Sequence, residues 1–173
     1  TSTNFLAPEL GANGSTNLGL GLGILYDNIH NAMNPRKGVY SEWAFLNYTE
    51  AFGSDFSFTS YITDNRLYQP LGKNRVLAAQ VYGQFTAGEA PFNMLALMGG
   101  ESLMRGYYLG RYRDQNLVAA QLEYRILPFS FSKKWGTSVF LATGQVYGTQ
   151  TTFEWNAMLA SGGACMRDVN LHR

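Results

Sequence analysis

Arg105 and Glu123 are the residues of this chain whose types and setting best suit a fixed charged contact. Arg105 stands in the stretch Gly99-Gly100-Glu101-Ser102-Leu103-Met104-Arg105-Gly106-Tyr107, and Glu123 lies in the alternating run from Leu117 to Arg125. A guanidinium presents five donors in a rigid fork and stays charged. In a water-poor interior it can therefore hold a carboxylate through bidentate hydrogen bonds. Gly106 lets the backbone turn tightly beside the arginine, and Gly99 and Gly100 supply the same freedom at the start of the segment. Arg111, Arg113 and Asp114 are supporting residues further along the loop. Tyr107, Tyr108 and Tyr112 either pack the loop or form an aromatic belt at a membrane interface. On spacing alone, the stronger reading is a solvated Arg105 with Glu123 paired to Arg125 or to a cross-strand neighbour, because Arg-Gly dipeptides are common.

Other chemistries find little support. Only two histidines exist, His30 in a turn and His172 near the end, and neither lies near a grouping that would activate a nucleophile. Glu42, Glu50, Asp55 and Asp64 read as scattered over strand ends and turns, with no pair fixed at a catalytic separation. No metal-ligand cluster is evident, and the single cysteine, Cys165, can form neither an internal disulfide nor a zinc site. The expectation is a protein without enzymatic activity, cofactor or metal. A net charge of +1 disfavours nucleic acid as a partner.

The elements that must position the loop are strands. Leu18, Leu20, Leu22, Ile24 and Tyr26 alternate with Gly19, Gly21 and Gly23, a period of two with one large apolar face and one nearly bare face. A dinucleotide fingerprint is set aside, since these glycines recur within a strand instead of opening a helix. Asn34-Pro35 marks a turn, and a second strand begins at Gly38. A third follows Gly53-Ser54-Asp55, and a fourth runs from Arg75 to about Thr86. The segment 87–115 is too long for a hairpin turn, and long loops of that kind tend to be functional. After it Val118, Ala120, Leu122, Tyr124 and Ile126 face one way while Gln121, Glu123 and Arg125 face the other. Two more strands are expected near 136–147 and 158–171, giving about seven and no helix of useful length.

Composition agrees with strands that face lipid. Charged residues are 14% against 14% aromatic and 46% hydrophobic, with 19 glycines, where soluble domains carry roughly 25% charged residues. No window approaches the roughly 20 apolar residues of a membrane-crossing helix, whereas a barrel strand needs about 9–11 residues of which half can be polar. Short turns at 28–37, 70–74 and 129–134 fall on one side and the long loop on the other, the short connection at Gly53 being an exception on the long-loop side. Outer-membrane barrels have short periplasmic turns and longer outer loops. The start Thr1-Ser2-Thr3-Asn4 has no signal-peptide character, and the chain is expected to begin within a longer protein.

Gly99-Gly100, the Arg105-Gly106-Tyr107 tip and Leu122-Glu123-Tyr124, taken in order with the Asp27…Pro35-Arg36-Lys37-Gly38 turn, resemble the BamA/TamA-like outer-membrane proteins, the bacterial surface-antigen family of assembly and secretion barrels. The resemblance spans about Asn17 to Tyr147. It implies an all-β, antiparallel transmembrane β-barrel in the bacterial outer membrane, part of a larger sixteen-stranded barrel. Residues 1–173 are then one barrel domain or fragment, with 87–115 folded into the lumen. The implied role is insertion of outer-membrane proteins or translocation of polypeptide. Implied partners are outer-membrane lipid, unfolded or secreted polypeptide, and accessory membrane proteins. In the family the tip arginine contacts such a glutamate and also an aspartate on the following strand; here that strand, Ser138 to Tyr147, carries Ala142 instead. The resemblance then implies a lock of Arg105, Gly106, Tyr107 and Glu123 that is weaker, or completed by another residue such as Asp114. The alternatives are the membrane anchor of a fused patatin-type lipase, and a non-catalytic small barrel or sandwich with a structural or ligand-binding role. The direction in which Val118, Leu122 and Tyr124 face decides against or for the last of these.

Overall fold

The computed structural model describes residues 10–11, 14–126, 128–129, 132, 134–148 and 151–168. Seven antiparallel strands form one sheet in the order β1 (Gly19–Asp27), β2 (Gly38–Tyr48), β3 (Phe58–Pro70), β4 (Arg75–Gly88), β7 (Asn116–Ile126), β8 (Trp135–Tyr147) and β9 (Leu159–Asp168). Two short strands, β5 (Ala96–Met98) and β6 (Tyr112–Asp114), pair with each other inside the long loop. The main strands run nine to fourteen residues, long enough to cross a hydrocarbon layer. Among the described residues the helical pieces are three 3-10 turns, and no helix there is long and apolar enough to cross a membrane. The last strand ends at Asp168, and residues 169–173, where the sequence pattern extends it, lie outside the described residues, as does His172.

Neighbouring strands keep one register from end to end, so each cross-strand row shares a face. One row runs Tyr68, Ala78, Glu123, Phe140, Gly163, and the adjacent row runs Leu67, Ala79, Leu122, Leu141, Gly162 on the opposite face. The second face is apolar and open: Leu22, Ile24, Trp43, Val81, Leu122, Val139 and Leu141 are all about half exposed or more. The first face carries Asp64, Gln80, Gln121, Glu123 and Arg125, and the long loop lies against it. Leu122 is 47% exposed and its neighbour Glu123 4%. That polarity is the inverse of a sandwich, which buries its apolar faces, and so the sandwich alternative falls.

The buried apolar cluster sits between loop and sheet. Ala96, Met98, Leu103 and Met104 from the loop pack on Leu117, Ala119 and Ala142 from β7 and β8. Ala119 and Gly144 lie opposite each other, and a Cβ at Gly144 would come within 2.9 Å of the Ala119 Cβ. The sheet is therefore shallow where the loop settles. The sheet's edges, β1 and β9, have backbone groups without a neighbouring strand among the described residues. Hydrocarbon does not tolerate unpaired backbone, so further strands must complete the wall.

The exposed band makes an accessibility prediction. Spin labels placed at Leu22, Val81 and Leu122 in a Cys165→Ser background should collide with oxygen and be shielded from a water-soluble nickel complex in reconstituted membranes. A label at Ala78, on the loop-covered face, should behave differently. Equal nickel accessibility at all four sites would rule out a lipid-facing band.

Candidate functional site

The loop is shaped by its glycines and by the β5–β6 ladder. Gly99 has φ 115°, and a Cβ there would stand 2.5 Å from the Tyr108 carbonyl oxygen, so no other residue fits without moving the chain. Gly100 N–H donates to the Tyr107 carbonyl at 3.0 Å, and Gly110 N–H to that of Met98 at 3.2 Å. Gly106 has φ 104° and Met104, just before Arg105, has φ 53°. Left-handed backbone at a methionine is held there because its side chain is fully buried in the cluster under the loop. That burial aims the next residue, Arg105, at the sheet.

Arg105 Nη2 donates to Glu123 Oε2 at 2.7 Å. Its guanidinium also lies over the Phe140 ring, 3.9 Å from the centroid. Phe140 in turn rests on Gly163, where a Cβ would approach the ring to 3.0 Å. The contact with Glu123 is through one nitrogen, not the two-pronged fork expected from the side-chain types. Arg125, two residues along β7 and hence on the same face, is the reason: its Nε lies 3.1 Å from Glu123 Oε1 and its Nη2 donates to Oε2 at 3.3 Å. Both sequence-level readings of Glu123 therefore coexist, since it meets Arg105 and Arg125 together. Arg125 also donates from Nη1 to the Pro35 carbonyl at 3.5 Å and lies 5.5 Å from the Tyr68 ring centroid, which links Glu123 to the β1–β2 turn.

A polar relay flanks the pair. Gln121 Nε2 donates to the Ser102 carbonyl of the loop at 2.9 Å and to Gln80 Oε1 at 2.8 Å. Gln80 Nε2 donates to Asp64 Oδ1 at 2.9 Å, and Arg66 Nη2 meets Asp64 Oδ2 at 2.5 Å. Asp64 and Glu42 are not at strand ends, as the sequence suggested, but face each other in mid-strand on β3 and β2. Arg66 on the same face pairs with Asp64, while Glu42 accepts the Tyr40 hydroxyl.

The remaining loop residues divide. Tyr107 donates its hydroxyl to the Ala160 carbonyl on β9 at 3.0 Å and meets Tyr112 edge-on at 5.7 Å, so these two pack the loop, whereas Tyr108 is 85% exposed. Arg113 lies over Phe92 at 4.0 Å and reaches the Gly110 carbonyl at 3.5 Å, bracing the loop internally. Arg111 is exposed, 5.6 Å from the Tyr112 ring centroid. Asp114 is buried and accepts from Gln115 N–H at 2.8 Å and from the Thr151 hydroxyl at 3.4 Å, tying the foot of the loop to the β8–β9 connection. Ala142, at the position where the resemblance implies a carboxylate, is buried in the apolar seat. Arg125 enters from sequence only as the alternative partner of Glu123, and Phe140, Gln121 and Gln80 are not singled out there as part of this site. Parity along β7 carries the signal for Gln121 and Arg125; nothing local carries it for Phe140 or Gln80.

The arrangement can hold a loop against a polar sheet face but presents no nucleophile with a base beside it. Among the described residues no three His, Cys, Asp or Glu side chains come together as a metal site.

Comparison with known proteins gives a consistent picture. A family model described as the Omp85 superfamily domain matches residues 3–168. Among solved structures, the crystal structure of BamA from Haemophilus ducreyi lacking POTRA domains 1–3 superposes with a TM-score of 0.74 at 20% identity, over 89% of this chain and 36% of that one. The chain thus spans little more than a third of that structure's length. No curated protein sequence matches.

Proposed function

Because the chain belongs to the Omp85 superfamily, its membrane-spanning β-sheet being of the BamA type, we propose that it forms part of a bacterial outer-membrane barrel that inserts outer-membrane proteins or moves polypeptide across that membrane. In this reading residues 87–115 are an internal strut in the lumen, and Arg105 and Glu123 hold it there. The observation that carries the proposal is the Arg105–Glu123 contact, 2.7 Å long and almost shielded on the Glu123 side, on the face opposite the exposed apolar band. A loop fixed by a charge pair to an otherwise polar wall leaves that wall's other strands free to meet a client. Unfolded or secreted polypeptide is the partner that such a wall suits, with accessory membrane proteins at its ends.

The test uses the full-length protein in cells. Its depletion should lower the folded barrels recovered from outer membranes, or leave them in place while one exported polypeptide accumulates in the periplasm. The first outcome identifies insertion and the second translocation. If both populations stay at wild-type levels, the proposed role fails.

A further inference from the structure

Charge is distributed very unevenly between the two ends of the sheet. At the end with the short turns stand Arg36, Lys37, Lys73, Arg75 and Lys134, and the carboxylate described there, Asp27, accepts the Ile29 N–H at 2.8 Å. At the end with the long loop the exposed carboxylates Glu50, Asp55, Glu89, Glu101 and Glu154 stand against one exposed cation among the described residues, Arg111. A net charge of +1 over the chain conceals this separation. The basic turns are contiguous: Arg36 donates from Nη1 to the Lys73 carbonyl at 3.3 Å, and Arg75, Ile126 and Thr137 form one cross-strand row leading to Lys134. Strands lie about 4.8 Å apart, so these cations fall within about one or two screening lengths of one another.

We propose that this rim binds the phosphodiester headgroups of anionic phospholipid. The height of the cations is the reason for choosing lipid over an acidic protein. Arg75 and Trp135 occupy positions that by register belong to the apolar face, and both are exposed where that face ends, beyond Leu67, Val139 and Leu141. Hydrocarbon must cover those residues, which fixes headgroups at the level of Arg75 and Trp135. Lys134 Nζ lies 5.6 Å from the Trp135 ring centroid, and a tryptophan with an adjacent cation suits the boundary between headgroup and acyl chain. Lys37, Lys73 and Arg75 are exposed and have no carboxylate partner among the described residues. The proposal requires that the sheet span a membrane and is independent of what the long loop does.

Spin-labelled phosphatidylglycerol and phosphatidylcholine, each added to phosphatidylcholine membranes containing the full-length protein, report which lipid occupies the protein's perimeter. The expected preference for phosphatidylglycerol is about fivefold, the factor one basic side chain supplies near a membrane surface, and it should shrink at high salt. The combined variant Lys37→Gln, Lys73→Gln, Arg75→Gln, Lys134→Gln should bring the preference close to one while leaving perimeter lipid in place. Equal association of the two lipids with the wild-type protein overturns the proposal, also where the variant loses an acidic protein partner. A preference that survives the four substitutions overturns it as well. If that variant does not fold, the salt titration of the wild-type protein decides, and an unscreened preference counts against the rim.

Discussion

Replacing Glu123 with glutamine is expected to release the loop from the sheet, and to do so more completely than replacing Arg105 with alanine. Glu123, itself almost fully buried, stands between two guanidinium groups. Without its charge, Arg105 and Arg125 are left as like charges facing a neutral amide, and removing one partner of a buried pair costs about 3–5 kcal/mol. Arg105→Ala leaves Glu123 still paired with Arg125, so the wall survives and the loop alone is loosened. Chymotryptic cleavage after Tyr107 in the folded, detergent-solubilised protein measures both effects. Tyr107 is half-buried and bonded to β9, so cleavage there requires that the loop lift. The order expected is Glu123→Gln above Arg105→Ala above wild type. Wild-type protection in both variants would make Arg105 an ordinary loop arginine.

The second large effect is expected from the methionines beneath the loop. Met98 and Met104 are fully buried on Leu117, Ala119 and Ala142, and truncation of a buried methionine to alanine costs about 2–5 kcal/mol because the cavity collapses only in part. Each of Met98→Ala and Met104→Ala should speed hydrogen exchange at the Gly100 and Gly110 amides, whose bonds close the loop. Raised salt should shrink the Arg105→Ala difference a little, since the partly buried pair is only weakly screened, and leave the methionine differences unchanged, since apolar contacts are not screened. Unchanged exchange in both methionine variants would mean that charge alone retains the loop.

These two effects mark how far the sequence could be read. Strict alternation in β1, β4 and β7 exposed the faces directly, because a period of two assigns every residue once one is placed. Arg105 and Glu123 could be picked out by type, and Arg125 shares a face with Glu123 by simple parity. Phe140 could not be found in this way: its place over Arg105 depends on the register of β8 against β7, which aligns it with Glu123 through contacts distant in sequence. Gln80, Gln121 and the Ser102 carbonyl meet for the same kind of reason, as do Glu42 and Asp64. Ala142 was visible as a missing carboxylate, yet its burial under Leu103 and Met104 needed the loop's fold, which no periodicity describes.

Ala142 carries one more consequence. A loop retained by two carboxylates would be held by charge, whose grip is largely indifferent to moderate cooling. Here part of the hold has passed to methyl and thioether surface around Ala142, and apolar contacts weaken as temperature falls. The hold of the loop on the sheet is therefore expected to weaken on cooling, as that of a purely charged lock would not.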